Sequence, residues 1–170
     1  MVTTDLYQIV VCDAGPLIHL DELSCLELLN DFAEVIVPDT VWQEVEQHRP
    51  RALYQTKLIL HRRNCALPNA EINALATLFT LHRGEKEALR LACEIGNTLL
   101  LTDDTAARLA ARSLGITVHG SIGILVRAIR CRQKTKAEVI QLLGDLPEKT
   151  TLFIRPSLLA DIIQEIEAAP

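Results

Sequence analysis

Short, continuously apolar segments alternate along the chain with longer segments in which apolar residues recur every three or four positions. Continuous apolar runs are typical of strands buried on both faces of a sheet, whereas the longer period is that of amphipathic helices. The apolar runs predict strands at residues 7–12, 35–37, 98–101 and 116–118. Residues 51–82 contain breaks at Asn64 and Pro68, and here we predict two helices around a short extended piece.

The segments between these strands predict helices, several of which have recognisable ends. Pro16 suits the first turn of a helix that continues to Leu20, and Ser24 with Glu27 has the spacing of a capping box, which predicts a helix over residues 25–31. Further helices are predicted after a cap at Asp39 or Thr40, at residues 84–95, 105–114, 121–131 and 135–143, and from Pro156 to Glu167. This alternation predicts an α/β fold in which helices cover both faces of a central, mainly parallel sheet of four or five strands.

The composition narrows the classes of function. The formal net charge is −5, whereas proteins that bind nucleic acid mainly through bulk charge are usually basic. Any contact with nucleic acid must therefore depend on a local basic patch or on bound cations. The five cysteines include no CxxC pair, which predicts reduced thiols in a cytoplasmic protein. We find no signal-peptide pattern and no apolar stretch of membrane-spanning length, so we expect no membrane association.

Acidic residues follow two of the predicted strands directly, Asp13 after the first and Asp103 with Asp104 after the third. In open parallel sheets, ligands bind beyond the carboxyl ends of the strands, and the helices with Glu44 and Glu85 begin after turns that lead to the same end. Neighbouring carboxylates repel unless a cation neutralises them, and their hard oxygen atoms suit Mg²⁺ or Mn²⁺. One ion, or two about 4 Å apart, can activate water for attack on a phosphodiester. The acids therefore predict a metal-dependent nuclease site.

Each acid has a second interpretation that involves no chemistry. Asp13 is well placed to cap a helix, and Glu85 lies in a first helical turn, where the helix dipole favours a carboxylate. Glu44 is also explained as a solvated helix residue, and Asp103 with Asp104 as one cap and one exposed charge. The nuclease hypothesis is favoured because the acids are spread over separate elements that meet at one edge of the sheet.

Four segments of the chain, in this order, resemble the PIN-domain family. They are IVVCDAGPLIHL, VIVPDTVWQEV, HRGEKEALRLA and LLLTDDTAARLAARSLGITVHGSIGILVRA. The chain looks most like the bacterial and archaeal branch that includes predicted toxin ribonucleases of the VapC type. The resemblance covers about residues 7–131, and residues 132–170 look like the helical C-terminal extension of that branch. It implies a single PIN-like domain with an α/β/α sandwich.

The resemblance also implies a Mg²⁺- or Mn²⁺-dependent endoribonuclease that cleaves single-stranded RNA. Asp13 matches the first catalytic acid of the family, Glu44 the acid of the PxxVxxE pattern, and Glu85 the acid of the GExEA pattern. The fourth catalytic acid belongs to a TxD-type motif, whose register favours Asp104, with Asp103 as its alternative. The implied metal ligands are Asp13 and Asp104, with Asp103 as a substitute.

Three further residues are candidates for contact with the substrate. Thr102 is placed to orient a water molecule or a carboxylate by a hydrogen bond, and Arg127 with Arg130 belongs to a dense basic group that could follow a phosphate backbone. A solvated helix face explains this basic group equally well. The sequence lacks a hydroxyl side chain at Ala14, where the family often has one, and this is expected to weaken metal binding without abolishing it.

Two other functions compete with a toxin ribonuclease. A catalytically degenerate PIN-like module that binds nucleic acid or protein is favoured by the acidic pI and by Ala14, but it gives no reason for all four acid positions to be filled. A phosphotransfer domain needs a second Asp where Gly15 lies. The toxin hypothesis implies three partners: RNA, an antitoxin protein and a second copy of the chain in a homodimer. The apolar stripe of the last predicted helix either packs on the domain or joins such an interface.

Overall fold

The computed structural model describes residues 9–65 and 68–169, so residues 7 and 8 of the first predicted strand lie outside the described residues. Among the described residues, five strands form one sheet in which all neighbouring strands are parallel. The strands are β1 (Ile9–Cys12), β2 (Glu34–Pro38), β3 (Leu60–Arg63), β4 (Leu99–Leu101) and β5 (Thr117–His119), in the spatial order β3-β2-β1-β4-β5. The predicted α/β class with a parallel sheet of four or five strands is thereby confirmed.

Helices cover both faces of this sheet. In the described part of the chain they are α1 (Ala14–Glu22), α2 (Asp39–His48), α3 (Arg51–Tyr54), α4 (Ala70–Leu78), α5 (Arg83–Ile95), α6 (Thr105–Ser113), α7 (Ser121–Arg130), α8 (Lys136–Lys149) and α9 (Pro156–Ala168). The buried residues of α4, α5 and α6 form the core on one face, and the other helices contribute to the core on the opposite face. The result is the α/β/α sandwich that the sequence predicts.

The central strand β1 explains why the strand segments are continuously apolar. Val10 and Cys12 belong to the core on one face, and Val11 belongs to the core on the other; all three side chains are fully buried. Successive side chains of a strand point to opposite faces, so a strand covered on both faces needs apolar residues at every position.

The elements between residues 51 and 82 agree with the prediction, whereas one later helix is longer than predicted. The extended piece and the two helices expected in residues 51–82 correspond to β3, α3 and α4. The helix predicted at residues 135–143 continues to Lys149. Leu143 and Leu146 are fully buried in the core, so tertiary packing extends α8 beyond the point where the sequence alone favours an end.

The prediction of a helix at residues 25–31 is wrong. Residues Leu26–Leu29 form a single 3-10 turn, which has no side-chain cap. Ser24 has a φ of 56°, and the amide of Cys25 donates to the carbonyl of Leu20. Ser24 therefore ends α1 in a left-handed conformation, and it cannot also take the extended conformation that a capping residue needs.

The apolar stripe of the last helix packs on the domain for the most part. Leu159 and Ile166 of α9 are buried in the same core as Val139 of α8 and Val10 of β1, whereas Leu158 is exposed. None of the helices that the structure describes combines the length and the apolar character needed to cross a membrane.

The parallel sheet brings the carboxyl ends of its strands to one edge. β1 and β4 are neighbours, and Cys12 is aligned with Leu101. The residues that follow these two strands, Asp13 and Thr102, therefore emerge side by side, and the amide of Asp13 donates to the carbonyl of Leu101 (2.8 Å). β2 leads directly into α2, which carries Glu44. This edge holds the candidate site.

Candidate active site

Asp13 is the first residue after β1 and caps α1. Its Oδ1 accepts a hydrogen bond from the amide of Ala14 (2.8 Å), and its Oδ2 accepts one from the hydroxyl of Thr102 (2.8 Å). The residue is only 7% exposed, and no cationic side chain pairs with it among the described residues. The same side chain can therefore cap the helix and bind a metal ion, because capping uses only part of the acceptor capacity of the carboxylate.

The charge of Asp13 is poorly compensated. The pKa of Asp13 is raised to about 7, mainly by burial and further by the nearby carboxylates of Glu85 and Glu44, whereas the hydrogen bonds from Thr102 and Ala14 oppose the rise. The ionised form is therefore disfavoured unless a cation comes close.

Glu85 and Glu44 approach this carboxylate from two helices. Glu85 lies in the first turn of α5, where its Oε2 accepts a hydrogen bond from the amide of His82 (2.7 Å). Glu44 is exposed on α2, and nothing within residues 9–65 and 68–169 hydrogen bonds to its carboxylate. Gly84 keeps the space between Glu44 and Asp13 open: a Cβ at this position would lie 3.2 Å from Glu44 Oε2 and 3.8 Å from Asp13 Oδ1.

Asp103 is held by donors from two other elements. Its Oδ1 accepts a hydrogen bond from the amide of Ser121 (2.7 Å), and its Oδ2 accepts one from the Ser121 hydroxyl (2.6 Å) and lies 2.7 Å from Nδ1 of His19. Burial alone would raise the pKa of Asp103, but these contacts with His19 and Ser121 outweigh it and hold the pKa below its ordinary value. The carboxylate joins the loop after β4 to the last turn of α1 and to the start of α7.

Asp104 and Thr102 form a second link at the end of β4. Asp104 caps α6, because its Oδ1 accepts a hydrogen bond from the amide of Ala107 (2.7 Å). The hydroxyl of Thr102 accepts a hydrogen bond from the amide of Asp104 (3.2 Å) and donates one to Asp13. Thr102 is 1% exposed, so the prediction that it contacts substrate is corrected: its hydroxyl orients a carboxylate from inside the fold.

The five acids line one pocket with a volume of about 180 Å³. The residues around it are Asp13, Ala14, Gly15, Glu44, His82, Glu85, Asp103 and Asp104. In the residues that the structure describes, no three His, Cys, Asp or Glu side chains converge tightly enough to hold a metal ion in their present orientations. The pocket therefore has several carboxylates around an open space, and no closed cage.

A family model described as a PIN domain matches residues 9–168, nearly the whole chain. The chain belongs to the PIN-domain family. The resemblance found in the sequence is thereby confirmed. No curated protein and no solved structure matches the chain. PIN domains are generally nucleases, so the family supports a nuclease-type fold and a hydrolase that acts on nucleic acids.

The pocket of this PIN domain suits a hard divalent cation. The acids that line it offer carboxylate oxygens, which are the atoms that Mg²⁺ and Mn²⁺ prefer. Mg²⁺ is usually bound through one or two carboxylates and keeps several of its waters, so it does not need a closed protein cage. Burial, and to a smaller extent Glu85 and Glu44, raise the pKa of Asp13, and a cation in the pocket would favour the ionised form of its carboxylate.

The two predicted basic contacts, Arg127 and Arg130, do not lie at this pocket. They line a larger pocket of about 640 Å³ between α7, α8 and α9. Arg127 is 7% exposed; its Nη1 lies 2.7 Å from Oδ2 of Asp31, and its guanidinium stacks over the ring of Phe32. Its role as an RNA contact is therefore corrected, because the guanidinium is engaged within the fold of the PIN domain.

Sequence reasoning missed His19 and Ser121 as partners of Asp103. His19 lies among apolar residues of α1, and 84 positions separate it from Asp103, so no local spacing connects them. Gly120 lies between β5 and α7. A Cβ there would lie 2.5 Å from Asp103 Oδ1, so the residue before α7 has to be a glycine for Asp103 to reach Ser121.

Proposed function

We propose that this PIN domain is an endoribonuclease that requires Mg²⁺ or Mn²⁺ and cleaves single-stranded RNA. The observation that carries the proposal is the environment of Asp13: a buried carboxylate at the end of the central strand, without a cationic partner among the described residues and with acids close enough to raise its pKa further. Such an arrangement is unfavourable by itself, and a bound divalent cation relieves it.

Asp13 and Asp104 are the proposed metal ligands. Both line the pocket, and the hydroxyl of Thr102 links them, because it donates to the carboxylate of Asp13 and accepts from the backbone amide of Asp104. Asp103 is not a proposed ligand, because its carboxylate oxygens already contact Nδ1 of His19 and both the amide and the hydroxyl of Ser121. When bound, the cation would supply Lewis-acid activation of water and would neutralise charge on the phosphodiester.

The two glutamates have different proposed roles. Glu44 accepts the proton of the attacking water, because its exposed carboxylate has no hydrogen-bond partner in the described part of the chain. Glu85 remains hydrogen bonded to the amide of His82, so it fixes the start of α5 and adds negative charge beside the cation.

The proposal is tested by incubating 5′-labelled single-stranded RNA, duplex RNA and single-stranded DNA with the protein and Mn²⁺ or Mg²⁺. We expect cleavage of single-stranded RNA that EDTA stops and that Asp13→Asn abolishes. Asp161→Asn is the matched control, because Asp161 is exposed on α9 and the same charge is removed. Cleavage that persists in EDTA, or that proceeds in Asp13→Asn at the rate of the wild type, would contradict the mechanism.

A catalytically degenerate PIN module is the second candidate. It is favoured by one observation, namely that no three potential ligands among the described residues converge at metal-binding distance. The same assay separates the two functions. Binding of RNA without metal-dependent cleavage, across varied sequences, would support the binding module and contradict the nuclease.

We also propose that the protein is the toxin of a toxin–antitoxin pair that acts on RNA in the cytoplasm as a homodimer. This rests on the resemblance of its four segments and C-terminal extension to toxin ribonucleases. A small antitoxin-like gene beside this one, whose product restores growth and co-purifies with the protein, is the expected result. Sedimentation of the purified protein tests the dimer.

A further inference from the structure

Arg108 lies beside the acidic pocket and has no role in the proposed reaction. It belongs to α6, one turn after Asp104, and its amide donates to the Asp104 carbonyl (3.0 Å). Its side chain reaches toward Gly120: a Cβ at position 120 would lie 3.0 Å from Arg108 Nη1 and 2.5 Å from Asp103 Oδ1. The guanidinium therefore lies at the flank of the pocket, in space that only a glycine leaves open.

Arg108 also combines partial burial with the lack of a partner among the described residues, whereas Arg112 on the same helix is exposed. Within residues 9–65 and 68–169, the guanidinium of Arg108 forms no hydrogen bond and no ion pair, although the residue is partly buried. The arginines that are paired with a carboxylate include Arg62, Arg83 and Arg127. A guanidinium that is partly withdrawn from water without a partner is unfavourable, and its five N–H donors match the oxygens of a phosphate.

We propose that Arg108 binds a phosphate of the RNA next to the one that is cleaved, and so determines how the strand crosses the pocket. The inference rests on the proposed function. One turn of α6 separates Arg108 from the proposed ligand Asp104, so a strand that leaves the pocket past Asp104 along α6 would come close to the guanidinium. Because the chain has a net charge of −5, contacts to the RNA backbone have to come from local cations of this kind.

The test measures binding of a short fluorescein-labelled single-stranded RNA by fluorescence anisotropy over a range of salt concentrations. The parent is the full chain with Asp13→Asn, which prevents cleavage during the measurement. Arg108→Gln and Arg112→Gln are then compared in that background. Arg112 is the matched control, because it lies one turn further along α6, is exposed, and has no hydrogen bond or ion pair to its guanidinium among the described residues.

We expect Arg108→Gln to weaken binding by about tenfold, since a hydrogen bond to a charged group is lost. It should also reduce the magnitude of the slope of log affinity against log salt concentration by about 0.7, the value for one phosphate contact with a single strand. Arg112→Gln should leave both quantities near those of the parent. Arg108→Lys should restore the slope but not the full affinity, because it keeps the charge and loses the paired donors.

Equal affinities and slopes for Arg108→Gln and Arg112→Gln would overturn the inference, even if the wild type cleaves RNA. The expected dependence on Arg108, together with a wild type that never cleaves, would overturn the nuclease and, with it, the position of this phosphate next to a cleaved one; Arg108 would then be a phosphate contact of a binding module. A parent that does not bind RNA overturns the inference, whereas cleavage by the wild type alone decides the nuclease. If thermal unfolding shows that Arg108→Gln does not fold, Arg108→Lys decides, and an affinity equal to that of the parent overturns the inference.

Discussion

The pKa values of the buried aspartates on the two sides of the acidic pocket are shifted in opposite directions. On the side of β1, Asp13 is buried with neutral donors only, and burial together with neighbouring carboxylates raises its pKa to about 7. On the side of α7, Asp103 is also largely buried, but His19 and Ser121 hold its pKa below the ordinary value.

This difference indicates which acid is available to an external ligand. A carboxylate that the protein saturates with donors belongs to the framework of the site, because a ligand would have to displace those donors. A carboxylate whose charge stays uncompensated gains most from a cation. On this basis Asp103 positions the loop after β4, whereas Asp13 takes part in the chemistry. Four experiments examine this contrast.

The largest effect is expected for Asp13→Asn, with opposite signs for activity and stability. Metal-dependent cleavage should fall by about a thousandfold, the loss typical of removing a key charge-stabilising group. In metal-free buffer the variant should melt at a higher temperature than the wild type. The pKa of Asp13 rises from its ordinary value of 3.8 to about 7 on folding, so ionisation destabilises the native state progressively between these values. The gain should therefore be larger at pH 8 than at pH 5, as measured by circular dichroism.

A drop in the melting temperature of Asp13→Asn, equal at both pH values, would contradict this view of Asp13. It would show that the hydrogen bonds from Ala14 and Thr102 depend on the ionised carboxylate of Asp13, and that they stabilise the fold by more than the burial of this charge destabilises it.

Asp103→Asn and Asp104→Asn should separate the two neighbouring aspartates. Asp103→Asn weakens contacts with His19 and Ser121, so we expect a loss of about 1.5–3 kcal/mol in unfolding free energy, measured by urea denaturation. The loss should shrink as the pH falls through the lowered pKa, because wild-type Asp103 then loses its charge as well. Asp104→Asn should keep its stability, since Asn caps a helix about as well as Asp, yet lose about a hundredfold in cleavage.

The reverse result, a stable Asp103→Asn without activity and an unstable but active Asp104→Asn, would exchange the two roles.

Thr102→Val should have a smaller effect, through the hydrogen bonds that the hydroxyl makes with Asp13 and with the amide of Asp104. The change keeps the shape of the side chain and removes the donor to Asp13 Oδ2. We expect Mn²⁺ affinity to fall by about 10–100-fold, as for other residues that orient a metal ligand. Titration calorimetry with Mn²⁺ measures this. Thr105→Val is the control, because Thr105 is exposed at the start of α6; equal affinities for the two variants would remove Thr102 from the site.

The smallest effect concerns the pH dependence of stabilisation by Mn²⁺. Mn²⁺ should raise the melting temperature by several degrees at pH 8 and by less at pH 5.5, because below a pKa of about 7 a proton competes with the cation for Asp13. Asp13→Asn should lose this pH dependence. The same shift at both pH values in the wild type would place the cation elsewhere.

Local patterns were sufficient to predict much of the fold and the approximate place of the site. The continuous apolar run of β1 marks a strand buried on both faces, and the helical spacing of α5 marks its buried side. Because the carboxyl ends of parallel strands share one edge, the positions of Asp13 and Asp104 directly after strands were enough to predict that they would meet.

Only the tertiary structure decided how each of these residues is used. The sequence favours Asp104 over Asp103 only through the register of the TxD-type motif. The decisive partner of Asp103, His19, is 84 positions away. Arg127 was predicted to be a surface cation, but it is buried, whereas Arg108 drew no attention in the sequence and flanks the pocket. The physical reason is that strands, helices and caps are encoded over a few neighbouring residues, whereas hydrogen bonds and ion pairs between distant elements depend on how those elements pack.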